Sequence, residues 1–483
     1  MVLMADQTIV LYPSPAIGHL IAMVELGKLI LKHHPSSPKI SILITTATFN
    51  VGSTTSYINR VSQTNPSIQF HHLPILSLPP DSTNSSNHHE FLIFQLLRLN
   101  NPSVRNALQT ISQTSTIKSF ITDFFCAISV LQVTENLNIP TFFFYTSGLG
   151  ALASLLYFPT IHENAINTIK DFKSFKDFDT HLHIPGVPPI LASDLPKPML
   201  DITDKVYHEF LYCSANFHRA QGIIANSFES LEPQAAKAIR DGLCVPDAPT
   251  PPLYCIGPLI ADRAEGKEVH ECLSWLDSQP SRSVVFLCFG SLGLFSKAQL
   301  VEIAIGLEKS GQRFLWVVRS PPTEDKTNHF LAPPEPDLSV LLPEGFLDRT
   351  KDRGLVLKLW APQVEVLNHE SVGGFVTHCG WNSVLEAVCG NVPMIAWPLY
   401  AEQRLNKVFL VEGLKLALPM EEVKDGFVSA CEVEKRVKQL MESDEGKVVR
   451  EQTSKMSEGA KVAMSEGGSS LKALSELVAL WKE

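Results

Sequence analysis

The sequence predicts an α/β protein built from two doubly wound parallel sheets, and three observations carry that expectation. The chain has 483 residues, more than the roughly 250 to 300 at which a single core stops growing. Two series of short β-branched and aromatic runs alternate with longer helical patterns, as βαβ units do. A Pro-rich stretch without periodicity lies between them, as a linker would.

The first series reads in order as "TIVLYP" (8–13), "KISILITT" (39–46), "SFITDFF" (119–125), "IPTFFFYT" (139–146) and "GIIANSF" (222–228). The second begins after residue 280 with "SVVFLCFG" (283–290), "RFLWVVR" (313–319), "GLVLKLW" (354–360), "GGFVTHC" (373–379) and "VPMIAWP" (392–398). Prolines and unpatterned charge in "PDAPTPPLYCIGPLIADRAEGKE" (246–268) set the boundary near residue 260. The expected organisation is a first domain over 1–255, a linker over 256–270, a second domain over 271–465 and a final segment over 466–483. A breaker-rich stretch over 320–345 predicts a long mobile loop inside the second domain. The final "GGSSLKALSELVALWKE" has a Ser cap signature and apolar Leu471, Leu474, Leu477, Val478 and Trp481 near helical spacing. It predicts an amphipathic helix that crosses back to the first domain.

Composition, 45% hydrophobic and 19% charged, is that of a globular chain, and a net charge of -10 without a Lys/Arg stripe disfavours nucleic-acid binding. Nine scattered cysteines, with no C-x-x-C, fit a reduced, cytoplasmic setting. Pro13, Pro15 and Gly18 interrupt the first apolar run, so no secretory signal is expected. The uncharged "IPTFFFYTSGLGALASLLYF" (139–158) has the length of a membrane span. Pro140 and the break at Thr146, Ser147 and Gly148 instead read it as strand, turn and buried helix. A monomer without stable membrane insertion is expected.

The stretch "THCGWNSVLEAVCGNVPMIAWPLYAEQ" (377–403) sets polar residues in an apolar frame. Ligands of open α/β sheets bind outside the carboxyl ends of strands, where loops enter helices. His378 ends a strand, Gly380 permits a sharp turn, and Asn382 or Ser383 would cap the next helix. A helix N-terminus suits phosphate. His378, Asn382 and Ser383 would hydrogen-bond its oxygens, and Glu386 one turn later could hold the vicinal diol of ribose. Trp360, at another strand end, could stack on a base whose edge Ala361 and Gln363 read. Glu402 and Gln403, after the next strand, suit sugar hydroxyls. Taken singly, His378 and Glu386 also read as a satisfied core histidine and a solvated helix residue. Three strand ends with matching chemistry favour the nucleotide.

Residues 360–403, from Trp360 to Gln403, closely resemble the signature box of plant UDP-dependent secondary-metabolite glycosyltransferases, and the likeness runs over essentially the whole chain, including "FGS" (289–291) and "GHL" (18–20). The resemblance implies a GT-B fold, two Rossmann-like doubly wound domains facing across a cleft, with the UDP-sugar in the second and a small hydrophobic acceptor mainly in the first. It assigns Trp360 to uracil stacking, Ala361 and Gln363 to the uracil edge and Glu386 to ribose. His378, Asn382, Ser383 and Ser291 go to the diphosphate, Trp381, Glu402 and Gln403 to the sugar, and Thr146 also reaches the sugar. Many members have Asp where this chain has Glu402, one methylene longer, and the closing Gln403 resembles glucose-using members.

Transfer from a UDP-sugar needs an acceptor oxygen stripped of its proton. His19 follows the first strand and opens a helix, and Asp123 ends another strand, where it could fix the imidazole tautomer and stabilise the imidazolium. Alone, Asp123 also reads as a capping carboxylate. The expected reaction is inverting, metal-independent and without a cofactor, UDP-glucose serving as co-substrate; no H-e-x-x-H pattern or paired Cys/His spacing is present. Phe124, Phe125, Phe142 and Phe144 read either as an aromatic acceptor pocket or as sheet core.

A nicotinamide oxidoreductase would need G-x-G-x-x-G after a strand, which "YPSPAIGHL" lacks. A serine hydrolase would need G-x-S-x-G, which the adjacency of Gly290 and Ser291 breaks. A non-catalytic UDP-sugar-binding module would lose His19 or Asp123, and both are present. The resemblance is closest to enzymes of flavonoids, isoflavones and chalcones, which implies a phenolic hydroxyl as acceptor; C-glycosylation or a non-flavonoid acceptor stays open. The segments expected to choose it, 75–95 and 180–205, carry no readable code.

Overall fold

A computed structural model describes residues 6–33, 38–47, 49, 54–79, 88–176, 178–261, 270–322, 334–423 and 426–481. The expected linker and the 320–345 loop fall outside them at 262–269 and 323–333, as do residues 80–87 of the acceptor-side segment. The chain divides into two compact units, Met1–Leu259 with Val462–Glu483, and Ile260–Lys461.

The first unit contains β1 (Asp6–Tyr12), β2 (Lys39–Ile44), β3 (Ile68–His72), β4 (Ser115–Asp123), β5 (Thr141–Tyr145), the short β6 (His181–Leu182) and β7 (Ile190–Leu191), β8 (Ile223–Ala225) and β9 (Leu253–Cys255). Seven of them form a parallel sheet in the order β3-β2-β1-β4-β5-β8-β9, while β6 and β7 pair antiparallel. Parallel sheets are covered on both faces, so their strands read as continuous apolar runs. Ile9, Val10, Leu11 and Tyr12 are indeed all fully buried. Strand order reverses direction between β1 and β4, the topological switch point at which such sheets leave a crevice.

The second unit contains β10 (Val284–Cys288), β11 (Arg313–Val318), β12 (Gly354–Lys358), β13 (Val372–Thr377), β14 (Met394–Ala396) and β15 (Ala417–Pro419). They form a parallel sheet in the order β12-β11-β10-β13-β14-β15, with its switch point between β10 and β13.

Two local expectations change. "LYC" inside the Pro-rich stretch is the edge strand β9, pairing with β8; an edge position tolerates neighbouring prolines because one side of the strand needs no ladder. The final helix runs Ser469–Ala479 with Gly468 as its N-cap and no side-chain cap. Ser470 instead donates to the carbonyl of Gly257 at 2.6 Å. Leu474, Leu477, Val478 and Trp481 are buried in the core of the first unit, where Trp481 meets the ring of Phe142 edge-on. Residues 139–158 form the strand, turn and buried helix expected of them: β5 is followed by the helix Leu149–Leu156, whose eight residues are all buried. Among the described residues no helix is long and apolar enough to cross a membrane.

Candidate active site

The carboxyl edge of each sheet gathers polar side chains at its switch point. In the first unit, helix Ile17–His33 follows β1 and brings His19 to the edge. Asp123 ends β4 and is fully buried. Its Oδ2 lies 2.7 Å from His19 Nδ1, while its Oδ1 accepts from the backbone N–H of Phe125 and so caps helix Phe124–Asn136. The dyad and the capping readings of Asp123 therefore both hold, one for each oxygen. An aspartate acceptor on Nδ1 keeps the proton there and leaves Nε2 as the basic nitrogen. Thr146, just after β5, sets its Oγ1 3.2 Å from the same Nδ1.

Beside this pair Phe125 presents its edge to His19, with ring centroids 5.8 Å apart. Phe94, Phe124 and Phe210 continue the ring cluster. Of the four aromatics singled out in the sequence, Phe142 and Phe144 belong to the sheet core, while Phe124 and Phe125 face the cluster. Phe94 and Phe210 come from helices His89–Leu99 and Lys205–Ala215, whose spacing alone gave no sign that they meet.

In the second unit, the loops after β10, β12, β13 and β14 hold the remaining candidates. Ser291 follows β10; Trp360 and Ala361 follow β12; His378 follows β13; Glu402 and Gln403 follow β14. His378 is buried, with its Nδ1 lacking a hydrogen-bond partner among the described residues. Burial pushes its pKa down to about 4, so the ring is neutral at ordinary pH. Two glycines make room for it. A Cβ at Gly380 would fall 2.4 Å from His378 Nε2, and one at Gly290, whose φ is +74°, would fall 2.6 Å away.

Gly380, and neither Asn382 nor Ser383, is the N-cap of helix Trp381–Cys389. A glycine supplies the extended cap backbone without a side chain, so the first N–H groups of the helix have no side-chain cap from that residue. Ser383 instead accepts from Gln363 Nε2 at 2.8 Å, and Gln363 Nε2 also donates to Glu386 Oε2 at 2.6 Å. Burial raises the Glu386 carboxyl to about 7, opposed in part by Gln363. Trp381 is buried and is the first residue of that helix. Gln403, also buried, accepts on Oε1 from the N–H groups of Leu399 and Tyr400, both at 2.9 Å, which aims its amide NH2. A residue missed in the sequence, the fully buried Asn406, donates to the Cys379 carbonyl at 2.9 Å and approaches Glu402 Oε1 at 3.3 Å. It ties the loop after β13 to the loop after β14. Among the described residues no cluster of three metal-binding side chains occurs.

Two doubly wound parallel sheets with polar switch points are the architecture of a GT-B protein, and comparison with known proteins supplies its class. Residues 245–454 match the family model "UDP-glucoronosyl and UDP-glucosyl transferase". The chain is 51% identical to an anthocyanidin 5,3-O-glucosyltransferase of a Rosa hybrid cultivar, over 99% of this chain and 100% of the relative. It is 48% identical to a phloretin 2'-O-glucosyltransferase of Pyrus communis, over 97% of this chain and 98% of the relative. The structure of Phytolacca americana UGT2 complexed with UDP-2fluoro-glucose and pterostilbene matches with a TM-score of 0.86 and 39% identity, covering 99% of this chain and 100% of that one. The chain belongs to the UDP-glycosyltransferase family: it is a glycosyltransferase that uses a UDP-sugar donor.

Proposed function

We propose that the chain transfers glucose from UDP-glucose, with inversion, to a phenolic hydroxyl of a flavonoid-type aglycone such as a flavonoid, isoflavone or chalcone. The observation that carries this reading is the 2.7 Å contact of His19 Nδ1 with the fully buried Asp123. Asp123 holds the Nδ1–H, and Nε2 takes the proton of the acceptor hydroxyl as its oxygen bonds to the anomeric carbon. The bond from that carbon to UDP breaks, its electron pair leaving on the diphosphate. The first N–H groups of helix Trp381–Cys389 and the neutral His378 then meet the charge on the leaving group.

Gln403, whose place at the close of the signature box resembles that of glucose-using members, supports glucose as the sugar. The rings of Phe94, Phe124, Phe125 and Phe210 beside His19 support a flat aromatic acceptor, as do relatives named for anthocyanidin and phloretin. Nine free cysteines support a reducing, cytoplasmic location.

The test is UDP release from UDP-glucose in EDTA, with and without a panel of flavonoid, isoflavone and dihydrochalcone phenols. Acceptor-dependent release of UDP, with a hexose added in a β-glucosidase-labile bond, is the expected result. No turnover with any phenol, despite measurable UDP binding, would refute the phenolic acceptor.

A further inference from the structure

We propose that Arg319 is a donor-positioning residue: it clasps a strained turn at Leu359 and so aims the Trp360 ring at the base. The inference rests on Trp360 as the uracil platform. Trp360 is 63% exposed, so packing alone does not hold its ring from all sides. Backbone geometry does part of that work. Leu359 has φ +66°, and the N–H of Trp360 donates to the carbonyl of Lys358 at 2.7 Å. That is a three-residue γ-turn centred on a left-handed residue, a rare and strained form that persists only where its surroundings impose it. A bulky leucine occupies the position that glycine would fill without strain.

Both peptide groups of Leu359 are tied to consecutive residues at the end of the neighbouring strand β11, its last residue Val318 and the following Arg319. Its N–H donates to the Val318 carbonyl at 2.9 Å, and its carbonyl accepts from Arg319 Nη1 at 3.0 Å. The Arg319 guanidinium is otherwise poorly served. Its Nε is buried without a hydrogen-bond partner among the described residues, and the groups that act on its charge are Cys288 and Tyr400. Burial lowers its pKa, the sign of a cation held where solvation is poor. Keeping a charge there costs free energy, and the bond to Leu359 is the structural return visible for it. His270 adds a side-chain contact, its ring meeting Trp360 edge-on at 5.8 Å.

The experiment is a binding titration of uridine, which has no phosphate, and of UDP against the full chain and three variants: Arg319→Met, Trp360→Ala and the double variant. Base–aromatic stacking is strong enough that Arg319→Met should weaken uridine and UDP by the same factor, about tenfold. In the Trp360→Ala background, removing Arg319 should add less than about a twofold loss, because both act through one ring. Four results would overturn the clasp. UDP could weaken while uridine does not, which would give the guanidinium a direct role at the diphosphate. The two losses could multiply in the double variant. Arg319→Met could leave both ligands unaffected while Trp360→Ala weakens them. If Trp360→Ala itself leaves both unaffected, the platform reading fails first, and the clasp with it. Should the melting curve show that Arg319→Met is unfolded, Arg319→Lys, which keeps the charge but not the fork, is held to the same criteria.

Discussion

Each unit places one histidine at the switch point of its sheet, and the two imidazoles sit in opposite electrical surroundings. His19 has the fully buried Asp123 at 2.7 Å. His378 is buried beside no such anion, and desolvation drives it to about 4. One ring is built to become a cation, and the other is kept from becoming one. The difference follows the chemistry proposed for each: a base must hold the proton it takes, while a ring that donates to a donor's oxygens needs a fixed neutral form. The same position in the same architecture is thus proposed to serve two roles, according to whether a carboxylate accompanies the ring.

The largest effect should come from removing that carboxylate. Asp123→Asn keeps the size and loses the charge, and kcat should fall at least about a hundredfold, the usual worth of general-base catalysis. The affinity for UDP, measured by titration, should stay as it was; a parallel loss of UDP binding would break the contrast between the sites. Next comes the space around His378. Gly380→Ala places a Cβ against its Nε2, and such overpacking costs about 1–3 kcal/mol. The KM for UDP-glucose should rise by about tenfold, as that energy implies, and an unchanged KM would show that His378 makes no contact that matters.

A smaller effect distinguishes Glu386, the second group at the donor site that burial pushes toward neutrality. Its carboxyl is raised to about 7, so the empty site is mostly protonated below that pH and ionised above it. Ribose hydroxyls donate to the ionised form, so UDP-glucose affinity should climb as pH rises through about 7. From pH 6 to 8 the gain should approach about tenfold if only the carboxylate binds. Glu386→Gln should flatten the profile, and His378→Gln should not, because His378 is already neutral over that range.

Much of the frame was legible because buried parallel strands leave continuous apolar runs. All ten runs singled out in the sequence contain a strand, with ends shifted by a few residues. The omissions have physical causes. β3, "IQFHH", mixes polar and apolar residues, and β9 and β15 are three-residue strands too short to show a period. At the candidate site, His19, Asp123 and His378 announced themselves as polar groups at strand ends, and Glu386 as a polar group one turn into the helix that follows. What did not show was the backbone beneath them. Leu359, Cys379 and Ala401 all adopt left-handed φ in the loops that carry the candidate donor residues, and none is a glycine that would have signalled it. Asn406 was hidden for another reason. Its role depends on the loop after β13 reaching the loop after β14, a contact between residues 27 apart.

The most direct test is the turnover of His19→Ala with saturating UDP-glucose and the phenol that the panel shows to react fastest, alongside its affinity for UDP. The account predicts a kcat at least about a hundredfold below that of the unaltered chain with UDP binding intact. Retention of more than about a tenth of the original kcat would contradict it, because a general base supplies more than that.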